Sequence, residues 1–179
     1  MRTTIHKVFW IWQFDKEERW LNEMAAKGKA LISTGFCTYV FEDCEPGEYI
    51  YRLELMNDLP SSEEGRSYIR FLEETGAEQV GSYLRWCYFR RKASLGEFDL
   101  FSDYESRIKH LDRILWLAAL FLPMELYWGI YNLVNNREYA SGLIVGCISL
   151  LVAMLFVTTL IIVGGKRHKL KKEREISEN

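Results

Sequence analysis

Apolar and polar positions alternate in short runs through the first hundred or so residues, and then two long apolar blocks take over. Residues 114–134 (ILWLAALFLPMELYWGIYNLV) and 142–163 (GLIVGCISLLVAMLFVTTLIIV) each come close to the ~20 residues a helix needs to cross a ~30 Å hydrocarbon layer. Between Ile114 and Gly165 only Glu125, Arg137 and Glu138 carry formal charge. The connector NNREYAS is long enough for a turn and little else, so the pattern predicts a transmembrane helical hairpin over 114–165 with both outer ends on one side.

Upstream, the pattern predicts a small α+β domain over residues 1–92. HKVFWIW, ending at Trp12, is β-branched and aromatic and reads as a first strand. Asp15 and Glu18 have capping-box spacing, Trp20, Leu21, Met24 and Ala25 share a helical face, and Gly28 supplies a stop. Residues 31–42 read as a second strand, Glu45-Pro46-Gly47 as a turn, and residues 49–56 as a third strand pairing antiparallel with the second. A second helix follows, with Ser61 and Glu64 at capping-box spacing, an apolar face of Tyr68, Ile69 and Leu72, and Gly76 as its stop; residues 80–89 read as a last strand. The order β-α-β-β-α-β is ferredoxin-like, and right-handed crossovers give strand order 4-1-3-2 with both helices on one face.

Such a sheet leaves its other face open. Along the third strand Tyr49, Tyr51, Leu53 and Leu55 alternate with Ile50, Arg52, Glu54 and Met56, so the mixed face is expected to be the open one. Trp10, Trp12, Arg52 and Glu54 are therefore the candidate partner surface. Residues 93–113 are expected to form an amphipathic connector helix, with Ser102 and Glu105 at capping-box spacing and Tyr104, Ile108 and Leu111 on one face.

Charge sharpens this picture. Residues 1–110 hold 15 Lys and Arg against 19 Asp and Glu, and an acidic domain without an RNA-binding aromatic signature argues against a nucleic-acid partner. Arg107, Lys109 and Arg113 precede the first span and Lys166, Arg167, Lys169, Lys171, Lys172 and Arg174 follow the second, whereas the connector holds Arg137 beside Glu138. The positive-inside rule then places both termini, including a basic tail over 166–179, in the cytoplasm of a multi-pass plasma-membrane protein. Cys37, Cys44, Cys87 and Cys147 have no metal-ligand spacing and no cleavable signal precedes them, so reduced structural thiols are expected.

Glu125 is the ionisable residue nearest the middle of a span, where charge costs at least ~2.5–3.5 kcal/mol, so it should be neutral or paired. Folding the hairpin about Arg137 and Glu138 puts it at the depth of Ser149, and the two form a candidate intramembrane polar site. Gly142, Gly146, Ser149 and Ala153 are spaced for one small-residue packing face. No nucleophile–base pair, phosphate loop or metal cluster is visible, so neither an enzyme nor a cofactor is expected.

The runs KVFWIWQFDKEERWLNEMAAKG, YVFEDCEPGEYIYRLEL and RWCYFRRK resemble the bacterial membrane proteins grouped as domain of unknown function 2812. The resemblance rests on Lys7 and Phe9, on Glu18, Trp20, Leu21, Met24 and Gly28, on Tyr39 and Phe41, on Tyr49, Tyr51 and Arg52, and on Tyr88, Phe89 and Arg90. It implies a regulatory role at the membrane, since relatives are often encoded beside PadR-like transcription regulators, and implies no activity. The sequence thus leads to a membrane-anchored cytoplasmic sensing or adaptor module that binds a protein partner, a PadR-like regulator among the candidates, with a homo-oligomer also open. The alternative is a small transporter or transporter accessory subunit using Glu125.

Overall fold

The computed structural model describes residues 2–101 and 103–177. The chain divides into two compact units, one ending at residue 102 and the other beginning at residue 103. The first unit contains β1 (Thr3–His6), a short 3₁₀ turn (Ile11–Gln13), α1 (Phe14–Ala26), β2 (Lys29–Gly35), β3 (Thr38–Asp43), β4 (Tyr49–Leu55), α2 (Glu63–Glu74), β5 (Ala77–Tyr83) and β6 (Trp86–Lys92). The second contains α3 (Tyr104–Asn135) and α4 (Ala140–Ser177).

The first unit is mixed α+β, but its six strands form two three-stranded antiparallel sheets, β1-β3-β2 and β4-β6-β5, in place of one four-stranded ferredoxin-like sheet. Each of the two segments expected as a single strand, 31–42 and 80–89, is a tight hairpin. Their two-residue turns, Phe36-Cys37 and Leu84-Arg85, place Cys37 and Leu84 at φ of 52° and 55°. Neither turn has the Asn-Gly or Asp-Gly chemistry that marks a hairpin in a sequence. The expected pairing of the second and third strands is therefore absent, because β3 and β4 belong to different sheets.

The two sheets are successive βαββ units built alike. Gly28 and Gly76 end the two helices at φ of 75° and 86°, a region closed to most side chains. Both outer strands shift register at one place, Leu31/Ser33 in β2 and Gln79/Gly81 in β5. Phe41 and Phe89 pair with the residue before each shift, and all these positions recur at a constant offset of 48.

Helix α1 is amphipathic and shared. Its Leu21 and Ala25 pack with Leu31, Tyr39 and Phe41 of the first sheet and with Tyr51, Leu53 and Tyr88 of the second. Helix α2 buries Ile69 and Leu72 on the other face of the second sheet, against Met56, Cys87 and Phe89. The second sheet is thus covered on both faces, which corrects the expectation of an open mixed face on the strand containing Arg52 and Glu54. The cap of α2 falls one residue later than expected, at Ser62, whose hydroxyl accepts the Gly65 N–H at 3.0 Å.

Phe98 is buried in the second core, so the domain extends past residue 92 and no helix covers 96–101. The expected cap Ser102 lies outside the described residues. Asp103 caps α3 by accepting the Ser106 N–H at 2.7 Å.

In the second unit α3 has 32 residues and runs on through Pro123, and α4 has 38 and includes the basic segment expected as a separate tail. Both are long and apolar enough to cross a membrane. At ~1.5 Å per residue each outreaches a ~30 Å hydrocarbon layer.

Candidate functional site

The most heavily built polar site of the first unit is a carboxyl between the sheets. Glu17 lies on the buried face of α1, one turn before Leu21. Its Oε1 accepts the hydroxyls of Tyr39, from β3, and Tyr88, from β6, both at 2.6 Å. Burial raises the Glu17 carboxyl above the usual range, and the two tyrosine bonds oppose that shift without cancelling it. The same burial, together with Glu17 itself, pushes both tyrosines upward. At the corresponding position of the second repeat stands Gly65, 48 residues on, so only the first repeat carries this carboxyl.

Beside it Glu18 accepts the Leu53 N–H at 3.0 Å and faces Arg52 at 3.4 Å. Asn22 spans the α1–β4 seam twice, donating to the Tyr51 carbonyl at 3.0 Å and accepting the Tyr51 N–H at 2.9 Å. Glu18 is therefore a tie from helix to strand and not the capping residue its spacing suggested. Burial pushes the Cys87 thiol up to about 12, which leaves it a packing residue. All four cysteines are free. Chemically, this cluster is suited to locking α1 onto both sheets with a proton-sensitive carboxyl. Among the described residues no group of His, Cys, Asp and Glu is arranged to hold a metal ion.

The expected partner surface does not come together. Glu54 is buried and accepts the Tyr68 hydroxyl from α2 at 2.8 Å, while Arg52 is turned to Glu18. Trp10 and Trp12 are not on a strand but around the 3₁₀ turn, with rings stacked 5.5 Å apart. The more open sheet face belongs to the first sheet, where Thr4 and His6 are exposed and Thr38, Val40 and Glu42 half-buried.

Gly142, Gly146, Ser149 and Ala153 are all buried on the face that α4 turns to α3. A Cβ on Gly146 would come within 2.7 Å of Leu133 and 3.1 Å of the Gly129 carbonyl. Gly129 completes that close approach, and its sequence signal is no more than a lone glycine in an apolar run. Glu125 is half-buried, Ser149 is buried, and no hydrogen bond joins them. Outside the apolar stretches Arg167 of α4 pairs with Asp112 of α3.

No curated protein and no solved structure matches the chain. A family model described as a protein of unknown function, DUF2812, matches residues 13–122, which cover α1 through the first half of α3. That is more than half of the 179 residues and contains most of the positions on which the resemblance was drawn, and the chain belongs to this family.

Proposed function

We propose that the protein is a membrane-anchored module whose two-sheet domain lies in the cytoplasm and acts as a sensing or adaptor unit for a protein partner. The observation that carries this reading is the joining, in one chain, of a folded domain with its own cores to two helices whose large apolar side chains face outward. Trp116, Leu120, Met124, Ile144, Met154 and Ile161 are all at least half exposed, which suits hydrocarbon and not water.

The ends of the helix pair support the orientation. Tyr127, Trp128, Tyr131 and Tyr139 are exposed around the connector, in the manner of an interfacial aromatic belt, and the basic residues gather at the opposite end. This supports cytoplasmic termini in a plasma membrane. With the second sheet enclosed, the partner surface moves to the outer face of the first sheet, around Thr38, Val40 and Glu42. A PadR-like regulator is the partner class the family resemblance suggests.

The second reading, a transporter or accessory subunit working as an oligomer, draws on Glu125 standing half-exposed at span depth without a bond to Ser149. Crosslinking in the native cells followed by affinity capture of the detergent-solubilised protein tests both. Recovery of a transcription regulator supports the adaptor, and recovery of a transporter subunit supports the second reading. Recovery of neither, with the bait intact, overturns the adaptor.

A further inference from the structure

Phe36 and Leu84 occupy the same position in the two βαββ repeats, 48 residues apart, each at the first place of a two-residue hairpin turn. They are 75% and 72% exposed, more than any other large apolar side chain among the described residues of the first unit. Both turns also hold a non-glycine residue in the left-handed region, Cys37 in one and Leu84 in the other. Each tip therefore breaks two local rules at once, turn chemistry and burial, and it does so in both repeats. Departures of that kind collect where a surface has a task.

The tips form one edge. β2 and β5 lie side by side, and the rings of Phe36 and Tyr83 are 5.8 Å apart. The strand-exit segment after β1 joins them, because the Lys7 N–H donates to the Cys37 carbonyl at 3.1 Å. That segment adds the exposed side chains of Val8, Trp10 and Ile11. Lys7, whose ammonium lies over the rings of Phe9 and Trp20 at 5.0 and 4.5 Å, and Arg85, whose Nε donates to the Met56 carbonyl at 2.9 Å, set positive charge beside the tips, although the domain as a whole is acidic.

We propose that this edge binds the surface of a lipid bilayer, with Phe36 and Leu84 entering the interfacial layer and Lys7 and Arg85 meeting anionic headgroups. The inference rests on the reading of α3 and α4 as membrane anchors. Aromatic and aliphatic side chains ringed by basic ones are the composition of interfacial anchors, and anionic headgroups complement the two cations. The chain also leaves the domain near this edge. Phe98 shares a core with Met56 and Cys87, which stand at the tip ends of β4 and β6. The link from Asp99 to Tyr104 spans at most ~18 Å fully extended and the polar turns of α3 before Ile114 add ~15 Å, so a bilayer that held the apolar helices would lie within ~33 Å of Asp99.

The test is hydrogen–deuterium exchange of the full chain in lipid nanodiscs and in detergent, comparing the peptides that cover the two tips. Slower exchange at both tips in nanodiscs of mixed phosphatidylcholine and phosphatidylglycerol than in detergent, weakened in phosphatidylcholine alone, is the expected result. The double variant Phe36→Glu/Leu84→Glu should lose that protection while the core strands keep theirs, because both side chains lie outside the cores. Leu84→Trp should keep it. Protein that enters nanodiscs but shows equal tip exchange in every medium overturns the lipid edge and leaves the anchor reading standing. Protein that cannot be incorporated overturns both. Protection that appears only on adding cell extract assigns the tips to a protein partner and overturns the lipid proposal.

Discussion

The backbone N–H of Leu31, on the outer strand of the first sheet, donates to the hydroxyl of Tyr51, on the outer strand of the second, at 2.8 Å. The carbonyl of the same residue accepts from Arg90 at 3.2 Å, so both peptide groups of Leu31 are satisfied by side chains of the other sheet. An outer strand left with bare backbone groups would be open to foreign pairing; here the second repeat closes that site. The two sheets should accordingly behave as one cooperative unit. Tyr51→Phe keeps the ring, which is fully buried, but strands the Leu31 N–H, and the expected loss is ~1–3 kcal/mol in denaturant unfolding of the domain. An unchanged midpoint would mean that the bond contributes nothing.

Glu17 makes stability depend on pH in a stated direction. Its folded pKa is raised above the ordinary 4.5, so the folded state binds the proton more tightly than the unfolded one. That contribution is complete below about pH 4.5 and is lost as pH rises through the folded value. Glu17→Gln keeps an oxygen for the Tyr39 and Tyr88 hydroxyls and cannot titrate. Relative to the variant, the wild type should lose stability on raising the pH from 4.5 and then level off. Glu18 is also raised, but it titrates in both proteins and cancels from the comparison. A difference that grows in the opposite direction would show that the tyrosine bonds outweigh burial.

What the sequence disclosed, it disclosed through local chemistry. Gly28 and Gly76 mark the helix ends because the backbone there needs a positive φ, and α2 was displaced by only one residue because Ser61 and Ser62 are both competent caps. The two long helices followed from length and hydropathy alone. The hairpins were hidden because Phe36-Cys37 and Leu84-Arg85 look like strand interior. With the turns taken for strand, one ferredoxin-like sheet accommodates all the β segments. The Glu17 site could not be read locally, since Tyr39 and Tyr88 come from different sheets that meet only through α1. A signal did exist in the recurrence of Leu21, Gly28 and Phe41 as Ile69, Gly76 and Phe89 at one spacing, which would have exposed the repeat and with it the hairpins.

The helix pair depends on closeness at Gly146. A leucine there would enter the space of Leu133 and press on the Gly129 carbonyl, and overpacking of that kind costs ~1–3 kcal/mol. Gly164, on the same helix, has open space around it, so Gly164→Leu is the matched control. Gly146→Leu should lower the thermal midpoint of the helix pair in micelles while the control leaves it unchanged. Equal midpoints for the two variants would show that the helices are free to separate at that level.

Glu125 separates the two functional readings. It stands half-buried within the apolar stretch of α3, and its expected partner Ser149 is buried without a hydrogen bond to it. In hydrocarbon an unpaired charge in that position is costly, so a polar partner or a neighbouring subunit is expected beside it. Glu125→Gln retains the shape, one carbonyl and a donor, so a purely structural, hydrogen-bonding role survives the exchange almost without cost. Glu125→Leu removes the polar group altogether, and intramembrane hydrogen bonds average only ~0.6 kcal/mol, so packing should weaken slightly. The adaptor reading therefore expects both variants to insert, assemble and recover the same partner as the wild type. A proton or cation site requires ionisation, which Gln cannot provide. A Gln variant that reaches the membrane and assembles normally but has lost its cellular function would decide for transport against the adaptor.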